Sequence, residues 1–236
     1  MEERRDEPFM NEAEMQVVTL SGLFEGMEVE EAEDLLLRLR PQRASFDKDE
    51  FILSCGEYSR FIGMLLSGAA QVLREDFWGR QTVLSSLEPG DIFAEEYALL
   101  PDVPMEASVL ATAPSEVLFL DVEQILRPSG EDPHAFLLEN LLAMVARKNL
   151  ILARQAEILA KRTIRERLMT YLSAESFHRG LTRFEIPFSR QELADHLSVD
   201  RSALSNEISK MKEDGVIRCE RRTFVLPLTE NPYLHR

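Results

Sequence analysis

Between residues 28 and 40 the apolar positions Val29, Ala32, Leu35, Leu36 and Leu39 recur at steps of three and four, and Pro41 ends the pattern. That spacing predicts one helix with a single apolar face. The period then changes. Residues 46–53, 61–66, 69–74, 81–87, 92–95, 107–111 and 116–120 are short, apolar-rich runs of strand length. Gly56, Ser67-Gly68, Trp78-Gly79, Pro89-Gly90 and Ala113-Pro114 punctuate them at the spacing of an all-β sandwich or barrel. Phe77-Trp78-Gly79 reads as a hairpin tip, with the tryptophan expected to pack on its neighbouring strand and an exposed contact as the alternative. Residues 1–18 are charged and lack apolar period, which predicts a weakly ordered acidic tail.

The longest helical pattern covers residues 134–162, and a helix of that length spans about 43 Å. It carries two apolar stripes. Leu138, Leu142, Val145, Asn149, Leu152, Ala156 and Leu159 alternate at steps of four and three, a coiled-coil seam. Leu137, Leu141, Met144, Ile151 and Ile158 run beside it. One stripe suits docking on the β domain and the other a second copy of the chain, so the seam predicts a homodimer interface; a core helix inside a monomer is the alternative, which lacks further helices nearby to cover the second face. Asn149 would fix its register at some cost in stability.

Thr163 followed by Glu166, and Ser189 followed by Glu192, are capping boxes that start new helices. The second helix buries Leu193, Ala194 and Leu197, turns at Ser198-Val199 and gives way to a helix capped by Asp200. Two short helices meeting at a small residue form the helix-turn-helix pattern. Arg201, Ser202, Ser205 and Asn206 place a guanidinium, two hydroxyls and an amide where base edges in a major groove can be read. Ser189, Arg190, Gln191 and Lys210 complete the candidate set on these helices. Residues 216–219 and 223–226 read as a hairpin, and its tip Glu220-Arg221-Arg222 as a wing whose arginines bind phosphate.

Charge sharpens the division. The 236-residue chain carries a net −15, which by itself argues against a nucleic-acid partner. Residues 163–236 hold 12 Lys and Arg against 11 Asp and Glu, whereas the other 162 residues hold 15 against 31. The C-terminal part, at a net +1, is therefore electrostatically able to approach DNA. No apolar run suffices for a membrane span, the N-terminus lacks a signal-peptide core, and two cysteines make neither a disulfide framework nor a cluster site, so a cytoplasmic protein is expected. Neither a nucleophile–base pair, a metal-ligand spacing nor a phosphate loop is evident, so catalytic residues, a metal and a cofactor are not expected.

The order of acidic β-roll, long helix and winged helix-turn-helix resembles the Crp/Fnr family of bacterial transcription regulators. Pro89-Gly90-Asp91-Ile92-Phe93-Ala94-Glu95 is similar to that family's effector-pocket segment. Ser189-Arg190-Gln191-Glu192-Leu193-Ala194 is similar to the start of its helix-turn-helix, and Val199-Asp200-Arg201-Ser202 falls where its recognition helix begins. The resemblance implies an α+β chain: an N-terminal double-stranded, jelly-roll-like β-roll, a long dimerisation helix and a C-terminal winged helix-turn-helix. The boundaries expected are 1–18 for the tail, 19–132 for the sensor roll, 133–162 for the helix and 163–236 for the DNA-binding domain. The implied partners are a near-palindromic double-stranded operator, a second copy, RNA polymerase and a possible small-molecule effector. A regulatory module acting without DNA is the alternative, and it would not need the helix-turn-helix.

The departures from the family pattern bear on the effector. Members that bind cyclic AMP hold its phosphate with an Arg-Ser pair, where this chain has Met105 and Glu106. Leu152 and Ala153 stand where those members contact the purine, and Ala94 replaces a glycine. A pocket made by Phe93, Ala94, Glu95, Tyr97, Met105 and Leu152 would suit a neutral or apolar molecule rather than a cyclic nucleotide, and a collapsed, empty pocket is the competing reading. Glu207 sits where helix-turn-helix proteins usually have an apolar residue, which predicts a slightly rotated recognition helix.

Overall fold

A computed structural model describes residues 10–127 and 132–227 of the chain, which divides into two compact units, Met1–Arg147 and Lys148–Arg236. The first unit begins with α1 (Glu12–Leu20) and α2 (Val29–Leu39). The tail expected over residues 1–18 is thus helical in its second half, while residues 1–9 lie outside those described. Asn11 and Glu14 form a reciprocal capping box, and Met10, Met15 and Val18 are buried. Three apolar residues among so many charges are too sparse to show a period, yet they suffice to dock the helix.

The strands of this unit are β1 (Gln42–Phe46), β2 (Phe51–Leu53), β3 (Phe61–Ser67), β4 (Ala70–Glu75), β5 (Gln81–Leu87), β6 (Ile92–Phe93), β7 (Ser108–Ala111) and β8 (Ser115–Asp121). They pair antiparallel in two sheets, ordered β1-β8-β3-β6 and β2-β7-β4-β5. The single run expected at 46–53 is two strands in different sheets, because Asp49 at φ 67° turns the chain and the Glu50 carboxylate accepts from the Asp47 amide. The run at 92–95 keeps two strand residues before α3 (Glu95–Leu99) begins.

Strand β3 explains why its sequence shows no alternation. Ile62, Met64 and Leu66 face a core shared with α1, α2 and α4 (Val122–Leu126), while Leu65 faces the core between the sheets. Both faces are buried, so the whole run is apolar. Gly63 pairs with Phe93, and a Cβ there would stand 2.2 Å from the Phe93 ring, so the ring needs a glycine beneath it. The hairpin tip between β4 and β5 overturns the expected packing: Phe77 is 95% and Trp78 77% exposed, each touching the other edge-on, with Arg80 over the indole.

Helix α5 (Asp132–Ala160) contributes to both units, so it is not the separate segment expected at 133–162. In the first unit Leu137 and Leu141 enter the core with Met144 and Val145 packed against it, whereas Leu142 is 63% exposed. His134 is buried, its Nε2 2.7 Å from the Ile125 carbonyl. In the second unit Ile158 joins a core built with α6 (Ile164–Arg179), β9 (Arg183–Glu185), α7 (Arg190–His196), α8 (Arg201–Glu213), β10 (Arg218–Glu220) and β11 (Thr223–Val225). The three strands form an antiparallel sheet in the order β10-β11-β9. Phe184 and Phe224 from that sheet and Leu204, Ile208 and Met211 from α8 fill the core.

Candidate functional site

Local chemistry sets both helices of the helix-turn-helix. The Ser189 hydroxyl accepts from the Glu192 amide and the Glu192 carboxylate accepts from the Ser189 amide, which starts α7 and holds that carboxylate below its usual pKa. Ser198 at φ 53° makes the turn. Asp200 then caps α8, accepting from the Ser202 hydroxyl and the Ala203 amide, and its pKa is lowered by those same two bonds. Leu193, Ala194, Leu197 and Leu204 are fully buried where α7 and α8 pack.

With that face inward, α8 turns Arg201, Ser202, Asn206 and Lys210 to solvent, and Ser205 lies half-buried beside them. Ser189 and Arg190, expected among the DNA-reading groups, carry structural tasks. Ser189 is the cap; the Arg190 guanidinium lies 5.8 Å over the Phe224 ring and donates to the Arg221 carbonyl at 3.3 Å, bracing the wing. Gln191 donates to Asp195 at 2.8 Å. At the wing Glu220 pairs with Thr223 inside the hairpin, so the tip is Arg221-Arg222 alone, with Arg221 at φ 51°. A groove of about 720 Å³ over this sheet is lined by Arg183, Lys212, Arg218, Arg221 and Arg222 against Glu185 and Glu220, a cationic field on an acidic chain.

Two arginines on α6 were missed by reading the sequence. Arg165 donates to Glu207 at 2.7 Å and to Asp214 at 2.5 Å, and both carboxylates raise its pKa. Glu207, the polar residue at an apolar position of the pattern, is therefore met by a cation from α6. Arg167 donates to the carbonyls of Lys161 (3.1 Å), Leu197 (2.9 Å) and Ser198 (3.1 Å), tying the end of α5 to the helix-turn-helix turn. An arginine in a polar run carries no pattern that separates such a clamp from a solvated side chain.

In the first unit Phe93, Ala94 and Met105 are buried in the core between the sheets, with Tyr97 packed against it. Ala94 sits at φ 62°, a left-handed conformation that a glycine takes more readily, and it caps α3. Glu95 is 1% exposed. The Met105 amide donates to the Glu57 carbonyl and its carbonyl accepts from Gly56, both at 2.8 Å, while its side chain is 3% exposed. Glu106 points elsewhere: it is exposed, its carboxylate 3.3 Å from Arg74 and its amide donating to the Tyr97 hydroxyl. Leu152 belongs to the second unit, is 69% exposed there and forms no part of this cluster.

A jelly-roll sensor domain followed by a winged helix-turn-helix with a solvent-facing reading helix defines a DNA-binding regulator. Residues 43–127 match the cyclic nucleotide-binding domain family and residues 166–230 the Crp-like helix-turn-helix domain. The chain belongs to the Crp/Fnr family of transcription regulators, and these are not enzymes. It is 28% identical to a cyclic AMP receptor protein of Thermus thermophilus over 84% of this chain and 88% of the relative. It is 23% identical to the transcriptional activator protein FnrL of Cereibacter sphaeroides over 77% of this chain and 75% of the relative. A solved structure of the Thermus thermophilus catabolite activator protein overlays with a TM-score of 0.47 at 24% identity, covering 88% of this chain and 94% of that one. Among the described residues no helix is long and apolar enough to cross a membrane.

Proposed function

We propose that this regulator acts as a homodimer through α5 and reads a near-palindromic operator with Arg201, Ser202, Ser205 and Asn206, while Arg221, Arg222 and Lys210 hold phosphates. The carrying observation is the seam on α5. Leu142, Leu152 and Leu159 are 63%, 69% and 41% exposed, an apolar stripe that a single chain leaves to water, with Asn149 exposed in line. Two copies joined there carry two reading helices related by a two-fold axis, and half-sites about one helical turn apart follow. The regulatory role then implies contact with RNA polymerase at the promoter.

The effector of this chain is not cyclic AMP, although the Thermus relative is named for that ligand. A cyclic phosphate carries a full negative charge and needs a cation in its pocket. Met105 stands at that position, packed among Ile52, Phe93 and Val109, and offers neither charge nor hydrogen bond. The repulsion expected from Glu106 is not the barrier, since that carboxylate is turned to Arg74. If Phe93, Ala94, Glu95, Tyr97 and Met105 admit an effector, it is neutral or apolar.

Two measurements test this reading. The double substitution Leu142→Glu, Leu152→Glu, at two exposed seam positions, should give monomers in ultracentrifugation that no longer retain DNA selected by the native protein; a double variant that stays dimeric places the interface elsewhere. Calorimetric titration with cyclic AMP and cyclic GMP should show no binding at micromolar concentration, and a micromolar dissociation constant for either would overturn the assignment of Met105.

A further inference from the structure

The second unit holds a cavity of about 240 Å³ lined by none of the residues proposed to contact DNA. Its walls come from the last turns of α5, from α6 and from the end of α7. One wall is aromatic: the Phe188 ring stacks on His196 at 4.9 Å, and Tyr171 meets His196 edge-on at 5.2 Å. Such a wall accepts another flat ring.

The polar groups around it are unevenly satisfied. Tyr171 is 6% exposed and lines the cavity, yet its hydroxyl has no hydrogen-bond partner among the described residues. The hydroxyl is not cut off from solvent, so water or a ligand can meet it there. Arg154, Glu157, Glu175 and Arg179 also line the space. Glu157 is paired with Lys161 at 3.7 Å, and Glu175 takes two N–H groups of Arg179 at 2.7 and 3.0 Å. Arg154 makes no ion pair among the described residues, so the lining has its acids neutralised and one guanidinium to spare.

We propose that this cavity is a binding site for a small planar aromatic anion, a single ring bearing a carboxylate. The ring would stack against Phe188 and His196, the Tyr171 hydroxyl would donate to the carboxylate, and Arg154 would neutralise it. The size selects one ring, being smaller than the roughly 300–1,000 Å³ of pockets for drug-sized ligands. Arg154 and Ile158 face away from Leu152 and Ala156 at 100° per residue, so the cavity opens on a different side of α5 from the proposed dimer seam. Gln155 donates to the His196 carbonyl at 2.7 Å along the same junction, so a bound anion would bear on the first helix of the helix-turn-helix.

The test uses the full chain without DNA, so its outcome is independent of the operator and of the sensor cluster. Saturation-transfer NMR and calorimetry with benzoate, benzyl alcohol and benzylamine should rank benzoate tightest, by about tenfold over benzylamine. Arg154 is exposed, so Arg154→Gln should keep the melting temperature while the preference for benzoate disappears. Tyr171→Phe should weaken benzoate by about threefold, and Ala174→Trp, which fills the cavity, should abolish transfer from all three. Benzoate binding no tighter than benzylamine, a full preference surviving in Arg154→Gln, or no transfer from any probe at about 10 mM would each overturn the site.

Discussion

The buried cluster of the first unit and the aromatic cavity of the second occupy their space in opposite ways. Between the sheets of the first unit, Phe93, Ala94 and Met105 close on apolar neighbours and form part of the core. In the second unit, Tyr171, Phe188 and His196 leave room, and an unmet hydroxyl and a spare guanidinium line it. One long apolar side chain packed inward leaves little space between the sheets, because the interior tolerates few voids.

Putting a charge into each region should separate them most sharply. Met105→Arg would bury an unpaired guanidinium in the cluster between the sheets, and we expect it to destabilise the first unit by about 3–5 kcal/mol in denaturant melts. A variant as stable as the native chain would show that the cluster is open to water. Coupling it with Glu106→Ser should gain phosphate affinity only if the chain still folds.

A smaller effect is expected on the outer face of α8. Arg201→Ala should leave the melting temperature unchanged, because the residue is exposed, and should cost about 1–3 kcal/mol on the selected operator. Base preference should flatten at one position per half-site. Equal loss on random DNA would make Arg201 a phosphate contact, the role given to Arg222, whose alanine variant should weaken all sequences alike and lower the salt slope by about 1.

The smallest effect concerns the cavity wall. Burial lowers the His196 pKa below its ordinary 6.5, with Glu175 opposing the shift. The unfolded chain then takes up a proton that the folded unit resists. Stability from this group is complete above 6.5 and declines as pH falls from there toward the folded value. His196→Phe should flatten that decline between about pH 7 and 5 in melts followed by circular dichroism, and an unchanged slope would assign it to other groups.

Much of the helix-turn-helix was legible because its signals are local. A capping box needs two residues three apart, and Thr163 with Glu166, Ser189 with Glu192 and the single cap Asp200 each start a helix where their own side chains reach the backbone. Apolar steps along α2 and α5 were equally visible, since burial on one face imposes the period. What escaped was non-local or sparse: α1, held by Met10, Met15 and Val18, and the split of residues 46–53 into strands of different sheets.

The sequence by itself determined most of the order of elements, the helix starts and the polar outer face of α8, because each depends on residue type and short spacing. Tertiary structure alone decided the rest. It placed Glu207 on Arg165, tied Arg167 to the carbonyls of Leu197 and Ser198, turned Glu106 out to Arg74 and gathered Tyr171, Phe188 and His196 around one cavity. The physical reason is the same in each case. A side chain's partner is set by which elements the packed core brings beside it, and residues tens of positions apart leave no period in the chain to announce that they will meet.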